Sequence, residues 1–105
     1  MSELERDIEK RLVKKVRDEL SGRAYKFVSP ENDGVPDRIV CLPDGSVWFV
    51  ELKTDEGKLT KLQRVQIERL SGLGQHVCVL CGRHQVDEFI NMQKIRLRFV
   101  LRKRV

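Results

Sequence analysis

The chain lacks an apolar run long enough to cross a bilayer, and its charged N-terminal region lacks the apolar core of a signal peptide. Cysteine and histidine are scarce, with three cysteines and two histidines in 105 residues. An odd number of cysteines argues against a disulfide framework and fits a reducing compartment. These absences lead us to expect a cytoplasmic protein.

Low-complexity tracts, internal repeats and interdomain linkers are also missing from the sequence. A length of 105 residues allows one domain with a modest core. We therefore assign 1–105 to a single domain, which includes a basic segment at about 94–105. The formal net charge of +5 favours a polyanionic partner, although charge alone is weak evidence for one.

The hydrophobic pattern predicts an α/β protein with helices flanking a mixed β-sheet. The first helix carries an apolar residue at every fourth position, and Ser2 and Glu5 resemble a capping box at its start. The predicted elements are helices over about 2–20 and 60–70, strands over 25–28, 37–42, 46–53 and 76–80, a short helix over 86–90, and a last strand over 94–105.

Two short motifs carry most of the chemistry. Asp37 lies in Gly34-Val35-Pro36-Asp37-Arg38, and Glu51 and Lys53 follow 14 residues later at the end of an apolar run. Side chains two residues apart on a strand leave from the same face, so an acid and an ammonium group lie side by side. Magnesium needs few protein carboxylates because water and phosphate oxygens complete its coordination shell. The motifs therefore indicate a phosphodiesterase site.

The turn between the two central strands predicts that the acids meet. Pro43 suits a type I turn, and Gly45 suits the left-handed residue that closes a three-residue loop. That loop pairs Leu42 with Ser46, and counting back along the strands places Asp37 opposite Glu51. Like charges placed opposite each other are costly, and a bound divalent cation removes the repulsion. A two-residue Asp44-Gly45 turn would separate the acids, but it would leave Pro43 inside a strand.

The ordered motifs resemble those of the VRR-NUC family of PD-(D/E)XK nucleases. The resemblance covers about residues 3–92 and rests on an N-terminal helix carrying Glu and on the segments at 34–38, 49–53 and 59–63. It implies a restriction-endonuclease-like core, a Mg²⁺ or Mn²⁺ cofactor and hydrolysis of phosphodiester bonds in DNA. Small stand-alone members further imply a homodimer that acts on branched DNA such as four-way junctions, in a bacterial or phage-infected cell.

The resemblance also implies roles for particular residues. Asp37 and Glu51 become metal ligands, together with the backbone carbonyl oxygen of Leu52. Lys53 orients or activates the attacking water and stabilises the charge that develops in the transition state. Because a bound metal makes water easier to deprotonate, no histidine base is required.

The remaining site residues lie on helices and have structural alternatives. Glu9 is our preferred helix acid and Glu5 is the reserve, although most helix glutamates are merely solvated. Gln63 occupies a position where the family has a functional glutamine, but Thr60 and Gln63 also form a capping box. Lys58 and Lys61 flank Gln63 and are candidates for contact with the phosphate backbone, but a charged helix start needs no ligand to explain it.

Other features of the sequence suggest alternatives to a nuclease or additional roles. Cys78 and Cys81 have the spacing of half a zinc site, but no second pair exists, which favours buried cysteines. A chain that retains the nuclease fold without catalysis is the main rival to an enzyme. The basic residues of the last segment are candidates for DNA contact or for a solvated edge strand or flexible end. Its four apolar residues are candidates for a dimer interface or for burial within the chain. Its basic residues are Arg96, Arg98, Arg102, Lys103 and Arg104, and its apolar residues are Ile95, Leu97, Phe99 and Leu101.

Overall fold

A computed structural model describes residues 4–103 of the chain. Three helices surround a four-stranded sheet in the order β1-β2-β3-β4; the first three strands are antiparallel to their neighbours, and β4 is parallel to β3. The predicted α/β class with a mixed sheet is confirmed. The elements are α1 (Glu5–Leu20), β1 (Arg23–Lys26), β2 (Arg38–Cys41), β3 (Val47–Lys53), α2 (Lys61–Gly72), β4 (His76–Cys81) and α3 (Gly82–Arg102).

Helix α1 forms as its apolar period predicts. Its buried residues, four apart, are Ile8, Leu12, Val16 and Leu20. Leu4 precedes the first turn at the N-cap position and provides no side-chain hydrogen bond, whereas the predicted Ser2 cap lies outside the described residues. The helix ends at Ser21, which adopts the left-handed conformation at φ 55°.

One face of the sheet forms the core. Val40, Val50, Leu52 and Leu80 point into a cluster with the buried residues of α1 and α3. Alternation along β3 sends Phe49, Glu51 and Lys53 to the opposite face. The polar end of β3 therefore stands on a rigid, buried scaffold.

Helix α2 has the predicted capping box at its start. Thr60 Oγ1 accepts a hydrogen bond from the Gln63 N–H, and Gln63 Oε1 accepts one from the Thr60 N–H. None of its described side chains is fully buried, although the helix packs against β4. A cap that satisfies two backbone donors fixes where this exposed helix begins.

The prediction for the C-terminal part of the chain was wrong. Instead of a short helix over 86–90 and a strand over 94–105, a single helix, α3, runs from Gly82 to Arg102. Its buried positions include Phe89, Gln93 and Leu97, which recur every four residues, so the segment has a helical period as well as an alternating one. Leu97 lies in the core, whereas Ile95 and Phe99 are exposed.

Side chains along α3 tie it to the rest of the fold and favour the helical alternative. Arg11 of α1 donates two hydrogen bonds to Asp87, at 2.8 and 2.9 Å, and Lys94 pairs with Glu19. Arg96 reaches Asp44 in the β2–β3 turn and lowers the pKa of that carboxyl from its ordinary value. None of the helices within residues 4–103 combines the length and the apolar character needed to cross a membrane.

Because α3 is a helix, truncation of Leu97 and truncation of Phe99 should destabilise the fold by different amounts. Leu97→Ala should destabilise the fold by about 2–5 kcal/mol because it opens a cavity in the core. Phe99→Ala should cost about 0.5 kcal/mol or less because Phe99 is exposed. Urea unfolding of both variants, at a concentration that keeps the chain monomeric, measures the difference. Equal losses would place both side chains on one face, as a strand requires.

Candidate functional site

The register of the central hairpin agrees with the prediction from its turn. Gly45 has φ 87°, and the Leu42 N–H donates to the Ser46 carbonyl oxygen at 3.0 Å. Arg38 pairs with Val50 and Val40 with Trp48. The next pair in this register is Asp37 with Glu51, so the two acids lie together on the face opposite the core.

Asp37 and Glu51 are held by different groups. The Leu52 N–H donates a hydrogen bond to Asp37 Oδ2 at 2.8 Å, which fixes that carboxylate against β3. Glu51 is only 1% exposed, and neither of its carboxylate oxygens has a hydrogen-bond donor among the described residues. The Lys53 ammonium lies 3.6 Å from Glu51 Oε2, beyond hydrogen-bond distance. A buried acid without a donor is costly unless something else binds it.

The electrostatics of Glu51 show that its charge is not compensated. Burial of the Glu51 carboxyl, followed by the charge of the neighbouring Asp37, raises its pKa to about 7. Lys53 acts in the opposite direction but does not restore the ordinary value. Ionisation of both carboxyls at once is therefore unfavourable in the metal-free chain, and a bound cation would relieve this cost.

The two helix acids differ in their surroundings. Glu9 Oε1 accepts a hydrogen bond from Arg38 Nε at 2.8 Å, so this carboxylate is already paired. Glu5, one turn earlier, contributes to the raised pKa of Glu51. The charge of Glu5 thus has a small effect on Glu51, whereas Glu9 forms an ion pair with Arg38. The sequence pattern contained no signal for that ion pair.

The start of α2 packs against the loop that carries Asp37. Gly34 has φ 87°, and a Cβ atom at this position would lie 2.6 Å from the backbone carbon of Leu62. Glycine therefore permits the close approach of α2 to this loop. Gln63 follows Leu62, but its amide oxygen is occupied by the capping box. Lys58 and Lys61 are exposed beside the helix start.

The cysteines lie apart from the acids. Cys78 pairs with Val50 and Cys81 with Lys53, three residues along β4, so their side chains point to opposite faces. Burial raises the pKa of the Cys78 thiol to about 12, which disfavours the thiolate that zinc and redox chemistry need. Within residues 4–103, no three histidine, cysteine or acidic side chains converge as a ready-made metal cluster.

Comparisons of sequence and of structure relate this chain to known proteins. A protein named "Putative nuclease p44", from Acyrthosiphon pisum secondary endosymbiont phage 1, is 51% identical over 76 residues, which are 72% of this chain and 81% of that protein. A solved structure described as "VRR_NUC domain" has a TM-score of 0.77 at 32% identity and covers 83% of this chain and 94% of its own. No family model matches the chain.

A second solved structure, described as "VRR_NUC domain protein", has a TM-score of 0.71 at 20% identity, covers 87% of this chain and 88% of its own, and supports the fold alone. The mixed sheet with its flanking helices is a PD-(D/E)XK-like fold. Within that class, the chain belongs to the VRR-NUC family.

The raised pKa of Glu51 predicts a stability that depends on pH. Glu51 ionises near 4.5 when unfolded and at about 7 when folded, so the metal-free chain loses stability as the pH rises through this window. Glu51→Gln should therefore stabilise the chain by about 1–3 kcal/mol at pH 8 and have little effect at pH 5. Urea unfolding in a chelator measures both values.

Glu56→Gln, at an exposed loop carboxylate, is the control for this experiment. It should leave the unfolding free energy almost unchanged at both pH values. If Glu51→Gln were equally neutral at pH 8, the Glu51 carboxylate would have another compensating partner.

Proposed function

We propose that the chain is a divalent-metal-dependent deoxyribonuclease that hydrolyses phosphodiester bonds and prefers branched DNA such as four-way junctions. The observation that carries this proposal is Glu51, an almost fully buried carboxylate without a hydrogen-bond donor that faces Asp37. A purely structural hairpin has no use for such a pair. Membership of the VRR-NUC family and the name of the phage relative support the reaction class.

The residues at this place fit a Mg²⁺ or Mn²⁺ ion. Asp37 and Glu51 offer two carboxylates, and the backbone carbonyl oxygen of Leu52 is a third oxygen donor on the same strand. Two or three protein oxygens suffice for such an ion because water and phosphate complete its shell. A divalent ion bound there supplies Lewis-acid activation of water and of the phosphate.

Lys53 acts on the attacking water and on the phosphate. Its side chain is 11% exposed and shares the Glu51 face of β3, so its ammonium group is held close to the acid pair. From this position it orients the attacking water and donates a hydrogen bond to a phosphate oxygen as negative charge develops there. Attack by the water oxygen then forms a new phosphorus–oxygen bond and breaks the bond from phosphorus to a sugar oxygen, which leaves as a hydroxyl group after taking up a proton equivalent to the one that the water loses.

The helix acid and Gln63 complete the proposed site. We assign Glu5 the role of helix acid because its charge acts on Glu51, whereas Glu9 positions Arg38 through their ion pair. Gln63 has its amide oxygen engaged at the helix cap, which leaves the amide nitrogen to donate to a substrate or to water. Its role is therefore positioning.

A DNA substrate agrees with the charges around the acids. Lys58 and Lys61 are exposed beside the start of α2, which approaches the loop that carries Asp37. The whole chain has a net charge of +5. Phosphate contacts by such lysines position a nucleic acid without reading its sequence.

A homodimer supplies the two incisions that resolution of a four-way junction needs. Of the four apolar candidates in the last segment, Leu97 lies in the core of its own chain and is unavailable. Ile95, Phe99 and Leu101 remain 62%, 68% and 39% exposed, and Met92 extends the stripe of Ile95 and Phe99 along α3. We propose this stripe as part of a two-fold interface, formed by helix packing and not by strand pairing.

Neutral substitutions of the acid pair should abolish cleavage. Asp37→Asn and Glu51→Gln keep the side-chain volume and remove the charge that holds the metal, so folding and DNA binding should persist. Gel assays of linear, flap and four-way substrates, with and without Mg²⁺ or Mn²⁺, measure cleavage; affinity is measured in Ca²⁺. Near-normal cleavage by either variant would refute the assignment of Asp37 and Glu51 as metal ligands. A wild-type chain that binds DNA but never cleaves it would favour the non-catalytic alternative.

Glu5→Gln and Glu9→Gln form a matched pair for the helix acid. Glu5→Gln should reduce cleavage at low metal concentration and be rescued by more metal. Glu9→Gln should lower stability through loss of the Arg38 ion pair without a change in metal dependence. The reverse result would return the helix acid to Glu9.

Loss of the Lys53 ammonium should slow chemistry and spare binding. Lys53→Ala should reduce the single-turnover rate by about a hundredfold or more because a preorganised charge at the transition state is lost. Lys58→Ala, which removes an exposed lysine from the substrate path, should instead weaken DNA binding and leave the single-turnover rate at saturation unchanged. An unaltered rate in Lys53→Ala would exclude Lys53 from the site.

A homodimer should be visible both in the mass of the protein in solution and in the symmetry of its cleavage products. Light scattering at micromolar concentration should give about twice the 12.3 kDa chain mass. Phe99→Glu should give monomers, since it places a charge on the apolar stripe. The wild type should cut junctions in paired nicks at symmetry-related positions. A chain that stays monomeric on DNA and makes unpaired nicks would contradict the proposal.

A further inference from the structure

Three aromatic side chains border the acid pair on the face of the sheet opposite the core. The Phe27 N–H donates to the Asp37 carbonyl oxygen at 2.9 Å, so Phe27 is the cross-strand neighbour of Asp37. Tyr25 pairs with Ile39, which pairs with Phe49. Phe49 and Glu51 lie two residues apart on β3. The aromatic and acidic side chains therefore form adjoining rows on one face of the sheet.

The three rings are accessible to solvent, and two of them contact each other. Tyr25 is 59% exposed, and Phe27 and Phe49 are partly exposed. The Phe27 and Phe49 rings contact each other with centroids 5.7 Å apart and planes tilted by 52°. None of the three belongs to the buried core cluster. A contiguous group of accessible apolar side chains is typical of an interaction surface.

We infer that Tyr25, Phe27 and Phe49 form a stacking platform for unpaired bases of the DNA strand whose phosphate lies at Asp37 and Glu51. The inference rests on the proposed function for the position of that phosphate. Cross-strand neighbours are about 5 Å apart and same-face neighbours on a strand about 7 Å apart. A nucleotide with its phosphate at the acids thus has its base within reach of these rings.

Unpaired bases suit this platform better than paired ones do. Aromatic rings bind single strands through the faces of the bases, which a duplex keeps stacked on each other. The platform therefore selects DNA that has unpaired nucleotides beside the cleaved bond. Branch points, flaps and mismatched ends provide such nucleotides, which gives a physical basis for structure selectivity.

A second copy of the chain is the alternative occupant of this surface, and the acids argue against it. The aromatic rows adjoin Asp37 and Glu51 directly, so a protein surface seated on them would also cover the path of the phosphate. It would further bury Asp37, which is partly exposed beside the buried Glu51, at an additional desolvation cost. A nucleic acid that brings its phosphate and a cation avoids both penalties.

The binding experiment compares a substitution that removes the aromatic ring of the exposed Tyr25 with one that keeps the ring. Affinities for a fluorescent single-stranded oligonucleotide and for its duplex are measured in Ca²⁺ by anisotropy. Tyr25→Leu should weaken single-strand binding by about tenfold and change duplex binding by less than about twofold. Tyr25→Phe should bind as the wild type does, and so should Leu73→Ala, at an exposed leucine near the end of α2.

Photocrosslinking locates the base directly. An oligonucleotide containing 5-iodouracil, irradiated on the intact chain and digested with trypsin, should modify the peptides that contain Tyr25 and Phe27. Unchanged single-strand affinity in Tyr25→Leu, or crosslinks confined to α3, would overturn the inference. Conversion of a dimer to monomers by Tyr25→Leu would also overturn it, because the surface would then be an interface between copies.

These outcomes separate the platform from the nuclease proposal, because neither experiment requires cleavage. Cleavage that depends on Asp37, combined with unchanged single-strand binding in Tyr25→Leu, would refute the platform and preserve the nuclease. Ring-dependent binding without cleavage under any metal would refute the nuclease and leave a single-strand-binding surface.

Discussion

The repulsion between Asp37 and Glu51 is the constraint on which the functional interpretation of this structure depends. The hairpin register places the two carboxylates together, and burial then raises the pKa of Glu51 to about 7. The Leu52 N–H satisfies Asp37, but no donor among residues 4–103 satisfies the Glu51 oxygens. The fold thus tolerates an unfavourable pair, and residues that weaken a fold in this way are characteristic of functional sites.

The remaining structure holds this pair in place. Buried side chains of α1 and α3 cover one face of the sheet and make β3 rigid, while Gly34 lets the start of α2 approach the loop before Asp37. Lys53 stays near the acids because it shares their face of β3. On the opposite face of the sheet the ring of Tyr25 is exposed, and Lys58 and Lys61 are exposed beside the start of α2.

The sequence predicted the central hairpin well because short-range rules decide its geometry. Pro43 and Gly45 specify the loop, the loop sets the register, and the register brings the acids together. The C-terminal segment was predicted wrongly because Ile95, Leu97, Phe99 and Leu101 alternate, while Phe89, Gln93 and Leu97 also follow a helical period. Tertiary contacts with α1 decide between these periods. The choice between Glu5 and Glu9 as the helix acid likewise depends on which of them pairs with Arg38. No local sequence rule predicts that pairing.

Isothermal titration of Mn²⁺ into the metal-free chain, in buffers of different ionisation enthalpy, tests the central claim most directly. An ion that binds at the acid pair must displace the proton that Glu51 retains near neutral pH. The account predicts about one ion per chain, proton release that is larger at pH 6 than at pH 8, and loss of binding in Glu51→Gln. Tight binding that persists in Glu51→Gln with no change in proton release would contradict it.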